Sequence, residues 1–241
     1  MKSKHLAMLL APMALAWGAS AFALPIPISS SLNLIAESNA GAGTVTDTDT
    51  QSQGATLNPL SASVLASAVN GIQSVDTYAS ASATWANAAS GNVSFRDLGW
   101  RTSNVGSGSA ILTSGADWKY TFTADATGLF TMSWNIFDSG STNTFGLNGF
   151  VFQWSDGIGA LLNFASIGTL TRAIVAGNTY TVGLENEANI SGGLGTRVAE
   201  MDGLFAWSMA TTAAVPEPSL LALMGLGLGL LLLLRRQVAR A

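Results

Sequence analysis

The chain has no cysteine and a single histidine, His5. Without cysteine, no disulfide can staple the fold and no lipid can be attached through an N-terminal thiol. The chain must hold itself together by burial and hydrogen bonding alone. His5 falls in a segment that reads as a removable leader, so the remainder has neither imidazole nor thiol. That excludes Ser-His-Asp and Cys-His catalysis, and it excludes zinc sites built on His or Cys. Charge is scarce as well, at 10% of residues, and unevenly placed. All 14 acids lie between Glu37 and Glu217, while only Arg96, Arg101, Lys119, Arg172 and Arg197 supply positive charge in that stretch. An acidic surface of this kind repels phosphate backbones, which argues against nucleic acid as a partner. Few long charged side chains remain for exposed helix faces. Polar, uncharged residues (Ser, Thr, Asn, Gly) dominate instead, which favours β-structure.

Both ends read as addressing segments. In residues 1–23, Lys2 and Lys4 precede an apolar run from Leu6 to Trp17, and Ala21-Phe22-Ala23 puts small residues where signal peptidase cuts, before Leu24. Ala19-Ser20-Ala21 is a second, weaker site. At the other end, Val215-Pro216-Glu217-Pro218 precedes an uncharged, Leu-rich run over 219–234, with Gly225, Gly227 and Gly229 spaced through it. The prolines bar regular structure just before that run. As a transmembrane helix it would be about 24 Å long, short against a hydrocarbon core of about 30 Å but workable with snorkelling arginines. Arg235, Arg236 and Arg240 follow in the basic tail 235–241, and the positive-inside rule holds them in the cytoplasm, leaving the preceding domain outside.

The order of Pro216-Glu217-Pro218, apolar span and terminal arginine cluster resembles the PEP-CTERM sorting signal of Gram-negative bacteria. The resemblance covers residues 215–241. It implies an exosortase-type processing enzyme as partner, one that recognises the tripeptide and cuts near it. It also implies an inner-membrane-anchored intermediate with a periplasmic domain, and an association with exopolysaccharide or biofilm. Passenger domains in that family vary, so the tail reports an address rather than an activity.

Between the two ends about 190 residues remain, enough for one domain with a sizeable core. Residues 24–60 are rich in Gly, Ser, Thr and Asp and read as an N-terminal extension or long loop. A β-sandwich of jelly-roll type is expected over 61–209, followed by a linker at 210–218. Within 61–75, Leu65, Val69 and Ile72 have spacing compatible with a helix. Strand signals are clearer. Residues 78–86 alternate small apolar and hydroxyl-bearing side chains, and Trp118, Tyr120 and Phe122 alternate with Lys119, Thr121 and Thr123. Residues 129–137 follow a turn at 124–128 and are expected to pair with 118–123 as an antiparallel hairpin. Further strands fit 145–154, 161–165, 169–175, 179–185 and 204–209. Trp85, Trp118, Trp134, Trp154 and Trp207 are expected in or near the core. Trp100, after Gly99 and beside Arg101 outside a clear strand, is the better candidate for stacking on a sugar ring.

The remaining chemistry is that of carboxylates. Glu185 and Glu187, and likewise Glu200 and Asp202, have the spacing of two that puts side chains on one face of a strand, the arrangement a two-carboxylate glycosidase needs. Laminarinase-like jelly rolls carry Glu-x-Asp-x-x-Glu. Here Glu200-Met201-Asp202 begins that way, but Phe205 stands where the second glutamate should be. Asp47 and Asp49 offer two oxygen ligands for a structural calcium, without the glycine and distal glutamate of an EF-hand loop; no other metal or cofactor is expected. The leading reading is therefore a non-enzymatic surface or extracellular-matrix protein in contact with exopolysaccharide. The alternatives are a carbohydrate-active enzyme with a carboxylate pair and a structural adhesin or coat subunit that self-associates through strand edges. Intact-mass spectrometry of the native protein is expected to find Leu24 as the mature N-terminus; a chain still beginning at Met1 would overturn the leader assignment.

Overall fold

The structure, a computed structural model, describes residues 24–41, 43–71, 73–103, 111–137, 149–155, 157, 159–163, 165–191 and 197–211, with Met224, Gly227 and Leu228 beyond them. For 73, 97–103, 111–116, 187–191 and 197–199 only the backbone is described. Residues 1–211 and 212–241 form two separate compact units.

Twelve strands make up the first unit: β1 (Ile26–Asn39), β2 (Thr44–Gln53), β3 (Leu60–Asn70), β4 (Gln73–Asn87), β5 (Ser90–Ser103), β6 (Ile111–Thr123), β7 (Gly128–Phe137), β8 (Gly149–Trp154), β9 (Ala160–Asn163), β10 (Ile167–Ile174), β11 (Thr179–Ser191) and β12 (Arg197–Thr211). They form two six-stranded antiparallel sheets, one in the order β2-β1-β6-β11-β8-β9 and the other in the order β10-β7-β12-β5-β4-β3. This is a β-sandwich, as the polar composition and period-two patterning predict. The pairs β5·β12, β6·β11, β7·β10 and β8·β9 are nested in sequence and alternate between the sheets.

That nesting corrects the expected hairpin of 118–123 with 129–137. β6 pairs with β1 and β11 in one sheet, while β7 pairs with β10 and β12 in the other. The connection after β6 is tied to the connection after β10: Ala124 N donates to Asn178 O at 2.9 Å and Gly177 N to Ala124 O at 2.7 Å. The two connections cross between the sheets together. Alternation of apolar residues shows that a strand has one buried face, and it is silent on which strand lies alongside.

Two further expectations are corrected. Residues 24–60 are not a loose extension, because β1 and β2 are full members of the first sheet. The stretch expected as a helix is β3 and the start of β4. In β3 the inward residues are Ala62, Val64, Ala66 and Ala68, and Leu65 and Val69 point out. Small residues face inward here because the sheets lie close together. Ser38 Oγ of β1 donates to Ala66 O at 2.9 Å and shares a hydrogen bond of 2.6 Å with Thr77 Oγ1. Thr77 Oγ1 lies 2.8 Å from Glu37 O. A single hydroxyl bridges the gap between the sheets here, and its buried neighbours on the facing strands are small: Ala66, Ala68, Val75 and Ala79.

The other half of the sandwich is filled by rings. Phe95 and Phe205 from one sheet meet Phe150 from the other, with centroids 5.0 and 4.9 Å away. Trp207 lies 5.1 Å from Tyr120, and Phe130 lies 5.2 Å from Trp154. Such contacts combine large apolar burial with a modest geometric preference. Trp118, Trp154 and Trp207 are buried, and Trp85 and Trp134 pack against the core from part-buried positions. Glycine makes space for two of these rings. A Cβ on Gly203 would sit 2.8 Å from Phe150 Cε2, and one on Gly168 would fall 2.2 Å from the indole of Trp134.

Pro25 and Thr211 line one small crevice, so the strands that open and close the domain meet at one end of the sandwich. In the second unit Met224, Gly227 and Leu228 are helical. Among the described residues no helix is long and apolar enough to cross a membrane; the span expected over 219–234 lies mostly outside them.

Burial pushes the phenol of Tyr120 well above its ordinary range, and its hydroxyl donates to Ala88 O at 3.0 Å. With the folded pKa above the unfolded value of about 10, folding favours the neutral phenol. Its contribution is therefore complete below that value and is lost as pH rises through the folded pKa. Urea titration is expected to show wild type losing stability above about pH 10. Tyr120→Phe should start about 1 kcal/mol less stable at neutral pH and lose less on the way up. Equal losses in the two proteins would refute the assignment.

Candidate functional site

Strand alternation puts every second side chain of the β10-β7-β12-β5-β4 surface on its outer face, where they line a shallow trough of about 570 Å³. Ser82 and Thr84 of β4, Asn92 and Ser94 of β5, and Ser133 and Asn135 of β7 supply hydroxyl and amide groups. Leu204 and Ala206 of β12 and Ile167 of β10 supply apolar floor and rim, and Ile167 is 82% exposed. Among the described residues no charged side chain lines the trough, in a chain with a net charge of −4.

Some of the polar groups are already engaged. Ser82 Oγ and Ser94 Oγ share a hydrogen bond of 2.8 Å, and Ser133 Oγ donates weakly to Ala206 O at 3.4 Å. No side-chain hydrogen bond joins Thr84, Asn92, Asn135 or Thr169 to another described residue, so their donors and acceptors face the trough unspent. Trp134, at the border of the sheet, lies over Gly168 and donates from Nε1 to Ser166 Oγ at 3.1 Å. Its described residues offer hydrogen bonds and apolar contact without charge.

The trough was not foreseen from the sequence. Its lining residues are the plain Ser, Thr and Asn positions of strands whose aromatic positions drew attention. Trp100 and Arg101, the expected sugar contacts, do not stand outside a strand: both are in β5, Trp100 opposite Thr77 and Ala199, and Arg101 opposite Asp76 and Val198. Their side chains lie outside the described residues.

The carboxylates are dispersed. Glu185 is exposed on the outer face of the first sheet, where Gln153 Nε2 donates to its carboxylate. Glu200 and Asp202 belong to β12 in the second sheet, and Asp202 is only 6% exposed. The side chain of Glu187 is outside the described residues. Asp47 and Asp49, expected as calcium ligands, are occupied by backbone: Leu65 N donates to Asp47 Oδ2 at 2.9 Å, and Ser63 N to Asp49 Oδ2 at 3.2 Å. Among the described residues no group of three or more His, Cys, Asp or Glu is placed to hold a metal ion.

Of the addressing residues, Leu24 is described and is half exposed. Ala21, Ala23, Pro216, Glu217, Pro218, Arg235, Arg236 and Arg240 lie outside the described residues.

No curated protein matches the chain. Among solved structures, a GH31 alpha-xylosidase from Xanthomonas citri is similar over 72% of this chain and 32% of its own length, with 8% identity and a TM-score of 0.24. The chain thus spans about a third of that enzyme, and a likeness this slight carries nothing about activity. One family model matches, over residues 214–237: the PEP-CTERM protein-sorting motif. The match implies export, a membrane-anchored intermediate and processing by an exosortase. What the comparisons identify is thus the C-terminal segment, which carries a PEP-CTERM protein-sorting motif.

Proposed function

We propose that this chain is a non-enzymatic surface or extracellular-matrix protein of a Gram-negative cell. In this reading an N-terminal signal peptide exports it, a short membrane span over 219–234 holds it during processing, and its sandwich then contacts a neutral exopolysaccharide at the surface or in a biofilm matrix. The nested strand pairing supports reading the sandwich as a jelly roll. The observation that carries the binding part is the trough: an uncharged strip of unspent hydroxyl and amide groups around apolar patches on an otherwise acidic chain. A polyhydroxylated chain without charge meets such a surface with hydrogen bonds and with CH-rich ring faces, and it pays no ion desolvation on binding. Acidic polymers would meet a chain of their own sign.

The enzyme alternative finds less support. It would need Glu185 with Glu187 on β11, or Glu200 with Asp202 on β12, to flank one bond about 5–9.5 Å apart; Glu185 is instead engaged by Gln153 on an outer face, and Asp202 is buried.

Full-length chain in detergent is expected to be retained on columns of neutral polysaccharide and not on acidic ones. Asn135→Ala with Leu204→Asp should lower that retention at least about tenfold, a loss of roughly 1.4 kcal/mol. Absence of retention on every polymer tried would remove the binding part. For the sorting part, Glu217→Ala expressed in the native host should accumulate uncut in the inner membrane by immunoblot. Normal release of that variant would count against tripeptide recognition.

A further inference from the structure

A sandwich has four edge strands, and an unpaired edge is a template for another strand unless it is short, charged, bulged or covered. Three of the four edges here are managed. β9 has only four residues. β2 carries Asp47 and Asp49. The outer edge of β3 is covered by those same carboxylates, which accept from the amides of Ser63 and Leu65. The fourth edge, β10, is neither short nor bulged, and among the described residues its one charge, Arg172, reaches only the open carbonyl of its neighbour Thr171, at 3.4 Å. It is eight residues long, Ile-Gly-Thr-Leu-Thr-Arg-Ala-Ile, contains no proline or acid, and pairs with β7 in unbroken register.

The backbone direction of β10 follows from one bond. Ile136 N of β7 donates to Ser166 O, so the even positions direct their amide groups towards β7. The odd positions (Ile167, Thr169, Thr171 and Ala173) direct theirs to the open side. Their side chains are exposed on the outer face of the sheet. We infer that this edge pairs with β10 of a second copy of the chain, antiparallel and two-fold about Leu170.

That register is self-complementary. It sets Ile167 against Ala173 of the second copy and Thr169 against Thr171, each pair twice, so all four open residues exchange both backbone bonds once the long 3.4 Å contact from Arg172 to Thr171 O is given up. Thr–Thr is a favourable cross-strand pair. Arg172 falls opposite Gly168 of the second copy, so no like charges face each other. An interface of this kind is isologous and closes at two copies. It joins two six-stranded sheets into one and brings their two troughs to a common surface.

Antiparallel pairing also points the two domains in opposite directions. Pro25 and Thr211 lie at one end of each sandwich, so these ends of the two copies point in opposite directions. The inference shares with the proposed function only the exported destination and does not depend on polysaccharide binding.

Sedimentation of the full-length chain in detergent tests it. Wild type is expected to dimerise, and Thr171→Pro, which removes an outward amide, should associate at least about tenfold more weakly. Thr169→Lys/Thr171→Lys, which sets lysines opposite one another, should do the same. Both variants keep the same tail, so association through the membrane span would leave them unchanged. Far-UV circular dichroism and thermal melting check that each is folded; should Thr171→Pro fail, the double-lysine variant still decides. The chain has no cysteine, so mixing the single variants Thr169→Cys and Thr171→Cys with oxidised glutathione should give a mixed disulfide. A monomeric wild type, a folded variant that dimerises like wild type, or no mixed disulfide would each overturn the proposal. Polymer retention is read separately and can succeed or fail independently.

Discussion

The distance between the two sheets is set by side-chain size, because no disulfide crosses it. At one end the sheets approach until Ser38 of β1 reaches Ala66 and Thr77 of the facing sheet, and the buried side chains around that contact are alanine and valine. At the other end the sheets are held apart by Phe95, Phe150, Phe205, Tyr120, Trp207, Phe130 and Trp154. The domain is thus a wedge with two kinds of core. Its thick part rests on the transfer of large apolar surfaces from water, and its thin part on close packing supplemented by buried hydroxyl bonds.

The wedge shape decides how the edges are treated. Where the sheets converge, β2 comes near enough to β3 for two aspartates to reach its free amides, and the side of the sandwich is closed by charge-assisted hydrogen bonds. On the opposite side, no carboxylate of the described residues accepts from the open amides of β9 or β10, and Arg172 reaches only the neighbouring Thr171 O. The same acids looked like metal ligands in the sequence because they are two residues apart and flanked by threonines. That spacing puts both carboxylates on one side of a strand, and the structure uses it to satisfy a neighbouring backbone.

Function is divided between the two units of the chain in a way that follows from their chemistry. The tail holds the sorting motif and acts through its order of proline, glutamate, proline, apolar run and arginines. The sandwich contributes a broad outer face of Ser, Thr and Asn. Such a face costs little to keep hydrated, and it presents donors and acceptors at the regular spacing of strands.

Much of this was legible in the primary structure. The alternation of Trp118, Tyr120 and Phe122 with polar neighbours, and of Phe130 and Met132 with theirs, marks strands with one buried face, because the side-chain period of a strand is two. The tail is equally plain, since an address works as a linear string. The segment 61–75 misled because its largest residues, Leu65 and Val69, lie outside while alanines lie inside. Burial there is governed by the width of the gap, which a sequence does not display. Residues 24–60 misled because an edge strand such as β2 is wet on most of its surface and therefore reads as a loop. Local sequence thus determined which segments are extended and where the chain is sent. Only the tertiary structure decided which strands lie side by side, because partner choice depends on contacts between residues far apart in sequence. For the same reason it alone gathered scattered serines, threonines and asparagines from separate strands into one trough.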